Sequence, residues 1–455
     1  MDVNNIPDVV GITLGAKGKT VILPNGNITK DGVSVAKAYK SKSIVDEVIK
    51  QVSLKTLKDV GDGTSSSVVL MQSIYNTLKR KSFPRIAKKL DKEFEIINSI
   101  IKQESKPIKT RKNLYDVAYI SSNGDEEISK NVSDICHSIG KDGDITLEIS
   151  EKNETYYKID NGFKVKDGII SNRMLNGSSE VFLNPVIMVC RDEIRAVKQI
   201  TSIVEDIAIT EKRPLVIVCD KVDSETISTF IINRRDTKFK MQLAIVSTSD
   251  IDGLYNNLST ITDSQVMDSE AGTSSYDIER AWLGTCEKVI IENDKTVFVH
   301  SKQKKDKPKD IKAKDWEKII SKVATLYIGG SSRPETLEKL DRYDDSLRSS
   351  MSAYEDGFAK GGSYIWLKAS KEVKLLRKPM QSVFKQMCKN AGYSKLKTYW
   401  LLNQCIRKQK PFNFKTEDWH SEKVSDSAKV LRVSIESALS ISRLLLNTGA
   451  ILEDK

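Results

Sequence analysis

Gly61-Asp62-Gly63-Thr64-Ser65-Ser66-Ser67 is a run of small and hydroxylated residues around one carboxylate. The periodic apolar positions beyond it (Val68, Val69, Leu70 and Ile74) predict a helix whose N-terminus lies at the run. Backbone N–H groups there can approach an anion closely, and Asp62 is the kind of oxygen ligand that Mg²⁺ takes. That is the chemistry of phosphate binding. The same seven residues also fit a plain Asp-Gly turn in which Thr64 or Ser65 caps a helix, so the run takes its meaning from its neighbours.

Upstream, periodic apolar residues (Val45, Val48, Ile49, Val52, Leu57) predict a helix that stops at Gly61. Before it, Thr20-Val21-Ile22-Leu23 and Asn27-Ile28-Thr29 flank Pro24-Asn25-Gly26, the pattern of a hairpin. Earlier still stands Thr13-Leu14-Gly15-Ala16-Lys17-Gly18-Lys19-Thr20. Its Gly-Lys-Thr end suggests a P-loop, but Thr13 occupies the position where that motif requires glycine, and a P-loop is rejected.

Leu14-Gly15-x-Lys17-Gly18, then Ile28-Thr29-Lys30-Asp31-Gly32-Val33-Ser34-Val35, then Gly61-Asp62-Gly63-Thr64 together resemble the nucleotide-binding signature of the chaperonins. Lys30 before Asp31-Gly32 points to the group I, GroEL-like branch. The resemblance continues through Ile120–Glu126, Ile139–Thr146, Arg342–Leu347, Glu355-Asp356-Gly357 with Gly361-Gly362, and Asp426 with Ala428-Lys429-Val430. It implies a multidomain α and α/β fold. A helical equatorial ATP-binding domain would comprise residues 1–106 and 358–455, and a small intermediate hinge domain 107–161 and 322–357. An inserted α/β apical domain would comprise 162–321. Pro107, Gly162 and Gly357 would mark its joints, since glycine absorbs φ/ψ change at low steric cost.

The resemblance also implies roles. Thr13, Leu14 and Gly15 would contact nucleotide phosphates, and Asp62 would hold Mg²⁺. Gly63, Thr64, Ser65 and Ser66 would cradle the phosphates, with two serines replacing the family's usual threonines. Thr13, Lys30 and Ser65 would help to hold K⁺. Asp345 would position the attacking water with Asp31 as its acidic helper, while Gly362, Asn413 and Asp426 would surround the adenosine. Ile169, Ile170, Met174, Val204, Ile227, Ile231 and Ile232 would form an apolar rim for non-native protein clients. The implied assembly is a ring of seven, with a co-chaperonin as a further partner. The family pairs Arg with Glu between subunits; here Asp167 and Arg333 reverse both signs and preserve attraction.

Several positions depart from the family. Ala16 replaces a proline in the phosphate loop, and Arg173 and Thr201 make the rim more polar. Ser321-Lys322 stand where a hinge glycine pair is expected. Lys385 keeps its charge, but Ser394 replaces the glutamate of an inter-ring ion pair, which sets a single ring, or weakly joined rings, beside two joined rings as an open alternative. The short, divergent form points to a virus-encoded chaperonin, from a large bacteriophage.

Composition agrees. The 455 residues are 39% hydrophobic and 30% charged, inside the globular range and outside the disordered one. Without a long apolar run or signal peptide, the expectation is a cytoplasmic protein with no membrane partner. The six cysteines and three histidines (His137, His300, His420) have no zinc or disulfide spacing, so a metal here would be a hard ion on carboxylates. Nine lysines between Lys302 and Lys322 are interrupted by acids and read as a solvated arm; no nucleic acid is expected. The reading is an ATP-driven folding chaperonin. Its rivals are a ring that holds proteins with little ATPase and, further off, a nucleic-acid binder using residues 302–322.

Overall fold

The computed structural model describes residues 3–41, 43–175, 177, 179–235, 242–249, 253–273, 278–300, 321–419 and 424–450. The lysine-rich stretch 302–320 lies outside them. The chain divides into two compact units: Met1–Lys141 with Leu147–Tyr157 and Leu326–Lys455, and Asp142–Thr146 with Lys158–Thr325.

The first unit is helical. Helix Ile44–Val60 starts at Ser43, whose side chain accepts from Asp46 N, and ends on Gly61 at φ 74°, a left-handed conformation that glycine adopts without strain. Two residues later Gly63, at φ 79°, leads into helix Thr64–Leu78. Both boundaries stand where the sequence put them. The C-terminal helix Ala428–Asn447 packs on these two. Its buried face includes Ser434, Ser437, Ala438 and Ser442, side chains small enough to let backbones approach. Ile6, Ile49, Leu70, Ile74, Ile97, Ile365 and Ile435 fill the core between the helices. The hairpin is present as two short antiparallel strands, Val21–Ile22 and Ile28–Thr29.

Farther along the same unit, Arg111–Ser121, Glu126–Ile139 and Arg333–Asp356 form a three-helix group. Tyr343 Oη accepts from Asn131 Nδ2 (2.9 Å). Arg342 bridges Asp125 and Glu338 (2.8 and 2.9 Å). Lys106 and Phe358 exchange both backbone hydrogen bonds (2.8 Å each), so the chain's way out and its way back lie side by side. Gly357 (φ 81°) is required there, because a Cβ would stand 2.5 Å from Lys106 O. Strand Phe358–Lys360 then pairs antiparallel with Ser425–Ser427.

The second unit is α/β. The apolar runs opened by Pro185 and Pro214 become Val186–Cys190 and Leu215–Cys219, which pair in parallel with each other, while Leu243–Ser247 extends the sheet. The first two strands are buried throughout, which is why their hydrophobicity does not alternate. Helices Ser224–Arg235 and Leu254–Thr262 follow their strands. A second, antiparallel layer joins Ser179–Leu183, Lys288–Glu292, Thr296–His300 and Tyr156–Val165.

Candidate nucleotide site

The loop Gly61–Gly63 and the segment 11–18 meet at the N-terminus of Thr64–Leu78. A Cβ on Gly63 would stand 2.5 Å from Ser434 Oγ, and one on Gly32 would stand 2.1 Å from Ser65 Oγ. The backbone therefore passes closer than any side chain would permit. Thr13 Oγ1 donates to Val10 O (2.9 Å) and lies 3.0 Å from Ser65 Oγ. With the single hydroxyl proton of Thr13 committed, Ser65 is the donor between them, and its oxygen keeps lone pairs for a cation.

A cavity beside this loop is lined by Leu14, Gly15, Asp62, Gly63, Ser66, Gly362 and Asp426, together with Ser349, Ser363, Trp366 and Met387. Burial, then the negative charge of Asp62, raises the Asp426 carboxyl to about 7, although the N–H groups of Ser363 and Gly362 favour its ionised form. Asp62 is also raised, by burial and by Asp31, against the Gly63 N–H and a Ser349 hydrogen bond. Asp345 is raised well above the usual carboxylate range by burial and by the charges of Asp62 and Asp31. Mutual elevation of this kind marks negative charge held in excess within a small volume.

Asp31 is fixed by its own helix: its two oxygens accept from Val33 N (3.0 Å) and Ser34 N (2.8 Å). Thr64 is the first residue of its helix and is buried. Lys30 brings its ammonium toward Arg342 and Glu338. Burial, then Arg342, lowers it to about 8. Asn413 stands apart. Its Oδ1 accepts from Lys415 N (2.9 Å) and Thr416 N (3.3 Å), closing its own turn, and it is not among the cavity-lining residues.

Other contributors were not visible in the motifs. Asn390 Nδ2 donates to Gly11 O and Leu14 O (2.8 Å each), and Gln386 Nε2 donates to Gly11 O (3.1 Å). Two amides four residues apart thus pin the phosphate loop, and that spacing on a single helix was the available signal. Asp341 adds a carboxylate: its Oδ2 accepts from Thr29 Oγ1 (3.3 Å).

The donor set fits a nucleotide. Buried Trp366 Nε1 and Ser363 Oγ have no hydrogen-bond partner, although both residues line the cavity, and a buried unpaired polar group is costly unless something satisfies it. Mg²⁺ binds through one or two carboxylates completed by phosphate and water, and Asp62 supplies such a ligand.

The residues expected at a client rim differ in exposure. Ile169, Met174 and Val204 are 7%, 0% and 5% exposed and belong to the second unit's core. Ile170 N bonds to Ile245 O, which draws this segment onto the sheet and turns Ile169 inward. Ile170 and Ile231 are partly buried against the same core, and Ile227 is half-buried. Ile232 is 68% exposed. Asp167 accepts from Thr248 Oγ1 (2.6 Å), and Arg333 opens the helix capped by Ser332.

A family model described as the TCP-1/cpn60 chaperonin family matches residues 6–455. The chain belongs to that family. Chaperonin GroEL of Orientia tsutsugamushi is 26% identical over 511 residues, covering 99% of this chain and 92% of the relative. The form from strain Boryong matches equally. The fold is shared with crystal structures of the chaperonin gp146 from the bacteriophage EL 2 (Pseudomonas aeruginosa) in the presence of ATP-BeFx. One crystal form gives a TM-score of 0.64 at 18% identity, covering 100% of this chain and 97% of the other. The second gives 0.65 at 17%. The expected GroEL-like fold, α and α/β in several parts, is the one this chaperonin has. Among its described residues no helix is long and apolar enough to cross a membrane.

Proposed function

We propose that this chaperonin hydrolyses ATP at the site around Asp62 and uses the resulting movement to bind and release non-native proteins. The observation carrying this reading is the gathering of Asp62 and Asp345 with Asp31, whose charge raises the first two carboxyls, beside a loop whose glycines leave no room for a side chain. In the proposed division, residues 1–106 with 358–455 bind nucleotide, 107–161 with 322–357 form the hinge, and 162–321 take the client.

Bound Mg²⁺, with K⁺ near Thr13, Lys30 and Ser65, would neutralise phosphate charge. The chain's own residues do the rest. N–H groups and hydroxyls from Gly63 to Ser66 hold the phosphates at the helix N-terminus. Asp345 orients the attacking water, and Asp31, locked by its two capping bonds, fixes the local field. Phosphoryl transfer requires positioning and charge compensation more than covalent help. Asp345 lies on Arg333–Asp356, so movement of that helix would join chemistry to conformation.

The test measures ATP turnover and refolding of a chemically denatured client by the intact chain with Mg²⁺ and K⁺. Asp345→Ala is expected to lower kcat about 100-fold while nucleotide still binds. Wild-type protein that captures the client without turnover would replace this reading with the holding ring.

A further inference from the structure

Ser363 and Trp366 line the nucleotide cavity together with Gly362 and Asp426. Each of the two is 3% exposed, yet Ser363 Oγ and Trp366 Nε1 have no hydrogen-bond partner in the chain. They stand at the start and in the middle of the short helix Tyr364–Ala369. At the far end of that helix Ser370 Oγ, equally buried, donates to Leu367 O (2.7 Å), and Ser363 finds no such carbonyl. An indole N–H can only donate, and a hydroxyl can turn its proton toward whatever accepts it. Two buried donors three residues apart call for an acceptor from outside the chain.

The backbone at Ser363 is strained as well. Its φ of 60° and ψ of 12° lie in the left-handed region, which glycine enters freely and serine does not. A glycine there would remove the strain and the unpaired hydroxyl together. A serine kept against both costs points to a role in the site rather than in folding. The turn also holds Asp426: the N–H groups of Gly362 and Ser363 donate to its carboxylate, and a Cβ on Gly361 would stand 2.7 Å from Asp426 Oδ1. The carboxylate thus rests on the turn that presents the Ser363 hydroxyl.

This side of the cavity therefore offers two donors next to an acceptor. Phosphate is a poor match, because it would meet the carboxylate of Asp426 with a charge of the same sign. The base is a poor match in size. The cavity is about 110 Å³, below the ~300 Å³ at which sites for whole ligands begin, and Gly63 and Ser66 of the phosphate loop line it too. The part of a nucleotide that lies next to its phosphates is the sugar. A hydroxyl both donates and accepts, so a vicinal diol can donate to Asp426 and accept from Ser363 Oγ and Trp366 Nε1.

We propose that Ser363 and Trp366 are specificity-determining residues for the sugar of the nucleotide: their two donors, with Asp426 as acceptor, hold the ribose 2′ and 3′ hydroxyls and set ribonucleotides above deoxyribonucleotides. This inference rests on the nucleotide reading of the site and adds which part of the ligand these side chains meet.

The experiment is isothermal titration calorimetry of the intact chain with Mg²⁺ and, in turn, ADP, 2′,3′-dideoxy-ADP and GDP. The wild type should bind dideoxy-ADP about tenfold more weakly than ADP, since buried donors are then left unpaired. Ser363→Gly and Trp366→Phe combined should weaken ADP about tenfold, leave dideoxy-ADP unchanged and so close most of the gap, with the ratio of ADP to GDP affinity unmoved. Trp366→Phe alone, which keeps the aromatic packing, should give part of the same loss. Ser363→Gly should raise the Tm of the nucleotide-free protein while it weakens ADP; a residue kept for packing would lower both. Three results would overturn the proposal: equal affinity of the wild type for ADP and dideoxy-ADP, a double variant that keeps the wild-type preference, or a change in the ADP-to-GDP ratio instead, which would assign the donors to the base. A wild type that binds no ADP would overturn the nucleotide reading itself, and this inference with it.

Discussion

Asp341 is the residue at which sequence and structure differ most usefully. Its neighbour Asp345 was legible because Arg342–Leu347 matched a family segment, whereas nothing in a single chain marks Asp341 apart from other helical acids. Folding places it at Thr29 and near Asp31. Burial, then the Asp31 charge, raises its carboxyl to about 6. A folded-state pKa above the unfolded value of 3.8 means that Asp341 favours folding when protonated. That contribution is complete below pH ~4 and is lost as the pH rises through about 6. Asp341→Asn should therefore gain Tm relative to wild type across that window and hold a constant difference above it, measured by thermal melts without nucleotide. A difference independent of pH would show that the carboxyl titrates normally. Asn413 illustrates the opposite case: the sequence offered a polar residue at the right distance along the chain, and the local turn consumed its oxygen.

Elements were easier to read where glycine punctuates them. Gly61 and Gly63 bound two helices because left-handed φ values there exclude other residues at low cost. Pro185 and Pro214 announced the parallel strands for a similar reason, since proline suits the first residue of a strand and not its interior. The rim was harder. Helical spacing brings Ile227, Phe230 and Ile231 to one side and leaves Ile232 on the other, but only the fold shows that the first side faces the core. Joins between elements were not legible at all. Glu93, 5% exposed, sits within Phe83–Glu104 and accepts from Lys374 N and Leu375 N with Oε1 (3.1 and 3.0 Å). Its Oε2 accepts from Leu376 N (2.9 Å). One side chain thus satisfies three N–H groups from a segment about 280 positions away. Glu93→Ala leaves them unpaired and should cost about 2 kcal/mol or more. Glu93→Gln, which keeps one acceptor oxygen, should cost less. Denaturant midpoints followed by circular dichroism check both, and equal losses would mean that packing, rather than the carboxylate, holds the join.

At the scale of the whole molecule, the partial burial of the rim changes what one chain can do alone. Ile232, 68% exposed, is the most exposed member of the expected set, with Ile170, Ile227 and Ile231 half-covered. So small an apolar area would hold a non-native protein weakly. Repetition around a ring would convert weak contacts into avidity, because each further contact is then intramolecular. Client capture should therefore depend on assembly more than on any one isoleucine. The reversed charges of Asp167 and Arg333 supply the means to test this if they link neighbouring subunits. Arg333→Asp alone should set two acids together, lower the native mass measured by mass photometry with Mg-ATP, and reduce client capture in proportion. Asp167→Arg alone should act likewise with two cations. The double exchange restores opposite signs and should recover both mass and capture. A wild-type particle of about seven chain masses fits a single ring, and about fourteen fits two. If the single variants kept the wild-type mass, the pair would not bridge subunits. If capture survived in a monomer, the rim would act without the ring.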